Sequence, residues 1–170
     1  MKHTLVALME DKPGVLNRVV SLFRRRGFNI DSLAVGHTEV PAISRMTIVV
    51  DSENTIVEQV SKQLYRLIEV LKVSDVSADP HVARELVLIK VHAPAAKRGE
   101  IASLAEVFGA RVVDVAHDAL MVELTSSPDK IDSFVDLVRP FGIKEMVRTG
   151  RIAMVRGTPA HSADSYVRVA

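Results

Sequence analysis

Residues 4–9, Thr-Leu-Val-Ala-Leu-Met, form a continuous apolar run of strand length, closed by Glu10-Asp11-Lys12-Pro13-Gly14. From Val15 the period changes. Val15, Val19, Leu22 and Phe23 recur at helical spacing, with Leu16 and Val20 widening the stripe, so the pattern predicts an amphipathic helix. Arg24-Arg25-Arg26 complement the dipole of its last turn, and Gly27 is the expected stop. Phe28–Val35 and Ser44–Val50 read as two strands, and the short connection between them predicts a hairpin. Asp51-Ser52-Glu53-Asn54 offers capping residues for a second helix, with Ile56, Val57, Val60, Leu64, Leu67 and Ile68 on one face. Val70–Val76 is a fourth strand, which completes the order β-α-β-β-α-β.

The order then repeats. Asp79-Pro80-His81 is a plausible linker, and Glu85–Val91 a strand that Ala93-Pro94 breaks. Ile101, Leu104, Ala105 and Phe108 mark a helix ended by Gly109. Arg111–Ala116 and Ala119–Leu124 predict a hairpin turning at His117-Asp118. Ser127-Pro128-Asp129 opens a helix bearing Ile131, Phe134, Val135 and Val138, and an extended stretch begins at Met146. The predicted class is therefore α+β: two ferredoxin-like βαββαβ domains in tandem, each an antiparallel sheet with helices on one face. Their expected bounds are 1–79 and 80–157, followed by a mobile tail at 158–170 in which Tyr166-Val167-Arg168-Val169 could pair with a sheet edge. A sheet with one wet face alternates apolar and polar residues. Leu5–Met9 and Leu86–Ile89 do not alternate, so both faces are expected to be buried, the second against the other repeat or a partner chain.

Composition narrows the function. Apolar residues make up 48% of the 170 residues and the formal net charge is +1, which fits a packed chain and argues against general nucleic-acid binding. Trp is absent and aromatics are 4%, leaving little to stack on bases. No apolar run is long enough to cross a membrane, and the first residues do not read as a signal peptide. The absence of cysteine removes disulfides, thiolate metal sites and a cysteine nucleophile, and suits a cytoplasmic protein. His3, His37, His81, His92, His117 and His161 have no metal-motif spacing, and no convergent acid–base set is visible, so neither catalytic nor metal-binding residues are expected.

One loop carries candidate chemistry. Glu10–Gly14 leads into a helix N-terminus, whose unpaired N–H groups and positive dipole end suit a carboxylate. Gly14 lets backbone approach a small ligand, and Asp11 can accept from an ammonium group. Asn29, if its strand brings it to the same loop, adds an amide. Val15, Leu16, Ile30 and Val35 offer an aliphatic wall. Together they describe a site for a zwitterionic amino acid. The plainer alternative is that Asp11 caps the helix and Gly14 and Asn29 serve only turns.

Glu10-Asp11-Lys12-Pro13-Gly14-Val15-Leu16, Leu22-Phe23-Arg24-Arg25-Arg26-Gly27-Phe28-Asn29-Ile30-Asp31-Ser32-Leu33 and Ser44-Arg45-Met46-Thr47 resemble the small regulatory subunit of acetohydroxyacid (acetolactate) synthase. Gln63–Val70 and His81–Leu86 are similar to it too, and the likeness covers residues 3 to about 157. The resemblance implies two ACT-type domains and a non-catalytic chain that binds and activates the catalytic large subunit. It also implies feedback inhibition by valine or a related branched-chain amino acid. Thiamine diphosphate, a divalent metal and FAD would belong to the large subunit, with no cofactor here. N-terminal domains would pair as a homodimer, with effector sites at their interface. By position, Asp11 and Gly14 match the effector loop, Asn29 and Ile30 the contacting strand, and Val15, Leu16 and Val35 its apolar wall. Many members carry Asn where this chain has Asp11. Ala93-Pro94-Ala95-Ala96 replaces the loop in the second half, which is expected to lack a site. A stand-alone amino-acid sensor or transcriptional regulator is the rival reading, but no DNA-binding unit is visible.

Overall fold

The computed structural model describes residues 2–51 and 54–157. The capping residues Ser52 and Glu53, the side chain of Ile56 and the tail with Tyr166–Val169 lie outside the described residues. The chain divides into two compact units: Ala83–Gly150 makes the second, and the described residues on either side of it the first.

In the first unit, β1 (Lys2–Glu10) is followed by α1 (Val15–Arg26), β2 (Ser32–His37), β3 (Ile43–Asp51), α2 (Asn54–Leu64) and β4 (Val70–Asp75). The strands form an antiparallel sheet in the order β2-β3-β1-β4. Alternate residues Leu5, Ala7 and Met9 meet Val15, Val19, Leu22 and Phe23 of α1 and Val57, Val60 and Leu64 of α2 in one core. Phe28 and Ile30 precede β2 rather than opening it. Gly27, at φ +70°, ends α1 in a left-handed turn whose N–H bonds Arg24, and Phe28 folds its ring edge-on to Phe23 at 6.2 Å. Strand pairing starts only with Asp31, whose N–H donates to Val49 O. The second helix also stops earlier than its stripe suggests. Tyr65 leaves the helix so that its hydroxyl pairs with both N–H and C=O of Val73 on edge strand β4, which leaves Ile68 72% exposed.

The second face of this sheet is buried at Thr4, Val6, Leu8, Thr47 and Val49. Part of the cover comes from the chain itself. After Gly150 a short strand, β9 (Ile152–Val155), packs Ala153 against Val6 and Val76.

In the second unit, β5 (His81–His92), α3 (Arg98–Phe108), β6 (Arg111–Val115), β7 (Ala119–Ser126), α4 (Pro128–Val138) and β8 (Ile143–Arg148) repeat the plan, with strand order β6-β7-β5-β8. A single 3-10 turn, Arg139–Phe141, closes α4. Val87, Ile89 and Val91 join Ile101, Phe134 and Val138 in the core. Within the chain the other face of this sheet is only partly covered, which leaves the expected cover to a partner chain. Leu86, Leu88 and Lys90 on the other face of β5 are only half-buried, and a charged neighbour, Glu123, lies opposite Leu88. Glu85 is 8% exposed and is held by a bidentate contact from Arg148 at 2.9 and 2.7 Å.

Candidate functional site

The loop between β1 and α1 is fixed from two sides. Glu10 N–H donates to Glu69 O at 2.9 Å, and Asp11 N–H donates to Ala42 O at 2.8 Å. Gly14 adopts φ +86°, a conformation an L side chain enters only with strain, and open space surrounds the position of a Cβ. No side chain caps α1. The first-turn N–H groups of Leu16 and Asn17 therefore have no partner from the helix itself, as the geometry of a helix start requires. Asp11 turns elsewhere: its Oδ2 lies 3.1 Å from His37 Nδ1, at the end of β2. The cap reading of Asp11 thus fails, while the helix N-terminus stays open.

Charges crowd this loop. Lys12 pairs with Glu10 at 2.7 Å, and Arg18, one turn into α1, pairs with the buried carboxylate of Glu69. Both signs stand within one loop and one helical turn, a setting that suits a zwitterion better than a simple anion. His37, Arg18 and Glu69 were not singled out from the sequence. His37 becomes visible as a neighbour of Asp11 only once the β2–β3 register is known, because Ser44 opposite His37 leads back along β3 to Met9.

The apolar candidates divide. Val15 is buried in the core, 3% exposed, and Ile30 packs against the same core. Leu16 and Val35 are exposed at 44% and 45% and are available to a ligand or a second chain.

Asn29 is not brought to the loop. β1 and β2 both pair antiparallel to β3, so they run in the same direction. Asp31 joins Val49, which lies opposite Thr4, whereas the loop follows Glu10. The six steps from Thr4 to Glu10 span about 20 Å at about 3.3 Å each. Asn29 is exposed there, with its amide 3.5 Å from Asp31 Oδ1, and Lys2 pairs with Asp31 at 3.4 Å. Within one chain, then, Asp11 and Gly14 sit at one end of β2 and Asn29 at the other.

The second unit makes the same backbone contacts with different side chains. His92 N–H donates to Gly142 O at 2.7 Å and Ala93 N–H to Asp118 O at 2.8 Å, matching the bonds of Glu10 and Asp11. Ala93 thus stands where Asp11 does. Arg98, the first residue of α3, turns its guanidinium back onto the carbonyls of Ala93 at 3.2 Å, Ala116 at 2.9 Å and His117. Asp118 is held below the ordinary carboxylate range chiefly by the hydrogen bond and charge of Lys144.

A family model described as the small subunit of acetolactate synthase matches residues 84–157, and one described as the AHAS small subunit-like ACT domain matches residues 5–72. The chain belongs to the acetolactate synthase small-subunit family. A probable acetolactate synthase small subunit of Archaeoglobus fulgidus is 58% identical over 157 residues, covering 92% of this chain and 98% of that protein. The Mycobacterium leprae small subunit is 51% identical over 155 residues, 91% of this chain and 92% of its own length. The crystal structure of the small subunit from Thermotoga maritima superposes with a TM-score of 0.84 at 37% identity, covering 93% of this chain and 99% of that one. The two βαββαβ units are thus tandem ACT-type domains, and the family role is that of a regulatory subunit paired with a catalytic large subunit. Among the described residues no group of His, Asp and Glu could hold a metal ion, and no helix is long and apolar enough to cross a membrane.

Proposed function

We propose that this chain activates the catalytic large subunit of a cytoplasmic acetolactate synthase and makes it subject to feedback inhibition by valine or a related branched-chain amino acid. Thiamine diphosphate, divalent metal and FAD belong, on this reading, to the large subunit. The observation that carries the effector site is the separation of Asp11 and Gly14 from Asn29 along edge strand β2. Two copies joined antiparallel along β2 would set the Asn29 end of each beside the Asp11–Gly14 end of the other, twice by two-fold symmetry. The ligand carboxylate would meet the open start of α1, its ammonium group Asp11, and its aliphatic side chain Leu16 and Val35.

A ligand that bridges two copies favours the paired arrangement only by its differential affinity for it. The large subunit would sense that difference. Two measurements test the reading: a thermal scan of the chain against single amino acids, and valine titration of the reconstituted holoenzyme. A shift with valine, leucine or isoleucine but not with lysine or glutamate, together with inhibition that requires this chain, is the expected result. Holoenzyme activity indifferent both to this chain and to valine would overturn it.

A further inference from the structure

The Asp11 carboxylate already has a partner. Its Oδ2 lies 3.1 Å from Nδ1 of His37, the last residue of β2, within ion-pairing distance. The charge of that partner is variable. A protonated ring cancels the charge of the carboxylate, and a neutral ring leaves it in place. Water and protons reach the pair, because the His37 side chain is 84% exposed and that of Asp11 44%. The other charged groups of this region are engaged elsewhere. Lys12 pairs with Glu10 at 2.7 Å in the loop, and Arg18 on α1 pairs with Glu69. Glu39, in the turn after β2, and Arg45, opposite Gly36 on β3, hold contacts of their own. Carboxylates, lysine and arginine ordinarily keep their charge between about pH 5 and 8, and imidazole is the side chain that changes charge there. His3 stands at the opposite end of β1, against Asp75 at 3.1 Å. Among the described residues His37 is therefore the group at this loop whose charge can follow pH.

We propose that His37 makes effector binding depend on pH: its imidazolium form competes with the ammonium group of the amino acid for Asp11, and its neutral form yields the carboxylate to the ligand. This rests on the effector site proposed above. Valine itself does not titrate across this range, since its own carboxylate holds the ammonium group charged. An ammonium group on Asp11 would come within about 6 Å of the ring cation. Repulsion between two such charges weakens binding about threefold in a water-like setting and about a hundredfold at the effective dielectric of a protein surface. The exposure of His37 places the effect toward the lower figure. Binding then selects the neutral ring. Valine affinity rises as pH climbs through the imidazole range, and protons leave His37 as the ligand enters, because the linkage is reciprocal.

The test titrates the full chain with valine by calorimetry at about pH 5.5 and about pH 8. Low ionic strength keeps the repulsion least screened. The unsubstituted chain should bind valine at least about threefold more weakly at the lower pH. Near the midpoint its binding heat should vary with the ionisation enthalpy of the buffer, which reports the released protons. In His37→Gln, at an exposed position and with no charge to gain, the ratio of the two affinities should fall to about one and the buffer dependence should vanish. A merely structural His37 would leave both readouts as they are in the unsubstituted chain. A ratio near one in the unsubstituted chain, or the same ratio in His37→Gln, would overturn the inference and leave the effector site standing. Absence of valine binding at both pH values, in the chain alone and with the large subunit present, would overturn the effector site and this inference with it.

Discussion

Gly14→Asp against Gly14→Asn isolates the electrostatics of the candidate site. Gly14 sits at φ +86° with nothing within 4 Å of a built Cβ, so the first side-chain atom of either variant has room. Asp and Asn tolerate the left-handed region better than other residues, and each should cost the ligand-free protein about 1 kcal/mol. That lowers the thermal midpoint by roughly 2–4 °C for a chain of this size. The two variants are nearly isosteric and differ in charge and in the donor amide that Asn carries. A carboxylate placed about 4 Å from a ligand carboxylate adds repulsion between about 1 kcal/mol in a water-like setting and about 4 kcal/mol near a protein surface. The variant's affinity for valine should accordingly fall by about fivefold to several hundredfold. At free valine near 100 times Kd the unsubstituted chain gains about 2.7 kcal/mol, a rise of roughly 5–11 °C. Gly14→Asn should keep most of that rise, and Gly14→Asp should lose from about a third to nearly all of it. Equal valine-induced shifts in the two variants would refute the placement of the ligand carboxylate at this helix start.

Asn29→Ala removes an exposed amide with one long contact, so stability should change by less than about 0.5 kcal/mol. Valine affinity should nevertheless fall about tenfold, as loss of one hydrogen bond to a charged group implies; urea unfolding reads the first and a calorimetric titration the second. Val35→Asp on edge strand β2 should weaken self-association in sedimentation and abolish the valine shift together with it. Arg148→Ala strands the buried Glu85 carboxylate and should cost about 2–4 kcal/mol in urea unfolding, toward the lower side of a fully buried pair because Arg148 is partly exposed. Burial alone would raise the Asp75 carboxyl, but hydrogen bonds from Ser77 and the contact with His3 outweigh it and hold it below its ordinary value. A lowered folded-state pKa means stability that is present above the unfolded value and is lost as pH falls through the folded one. The acid limb below about pH 4 should therefore flatten in Asp75→Asn.

The periodicity of Val15, Val19, Leu22 and Phe23 was enough to set α1 on a sheet, and every such stripe that ends in a glycine became a helix of the expected face. What periodicity does not contain is register. Asn29 looks close to the loop in a list of residues, yet both β1 and β2 flank β3, and that topology sends the start of β2 to the far end of the sheet. The contact of His37 with Asp11 is the reciprocal case: it needs two ladders to be in place before the residues meet. The buried second face of the first sheet was legible in Leu5–Met9, but its cover was not. Ile152-Ala153-Met154-Val155 reads as an ordinary apolar strand, and only the fold returns it to the first unit. In the second unit the same non-alternating signal is met only in part by the chain itself, because Leu86 and Leu88 share their face with Glu123 and Lys90 and stay half-buried.

The two repeats keep one backbone and differ at the point where a ligand would bind. Each fixes the end of its first strand with the same pair of N–H to C=O bonds, and each ends its first helix with a glycine at φ +70°. In the first unit the position after that strand carries Asp11, and the helix opens through an uncapped glycine. In the second, Ala93 has no polar side chain, and the Arg98 guanidinium gathers three carbonyls of the same region. A cation supplied by the chain there satisfies acceptors that an ammonium group could otherwise seek. The second unit therefore lacks the carboxylate and supplies its own cation to these acceptors, and on the proposed function effector sensing would fall to the first. On this argument Arg98→Ala should lower the stability of the second unit, since three carbonyls lose a charged donor, without adding an amino-acid binding site. A second class of valine sites in that variant would show that Arg98 alone keeps the repeat silent and that Asp11 is dispensable.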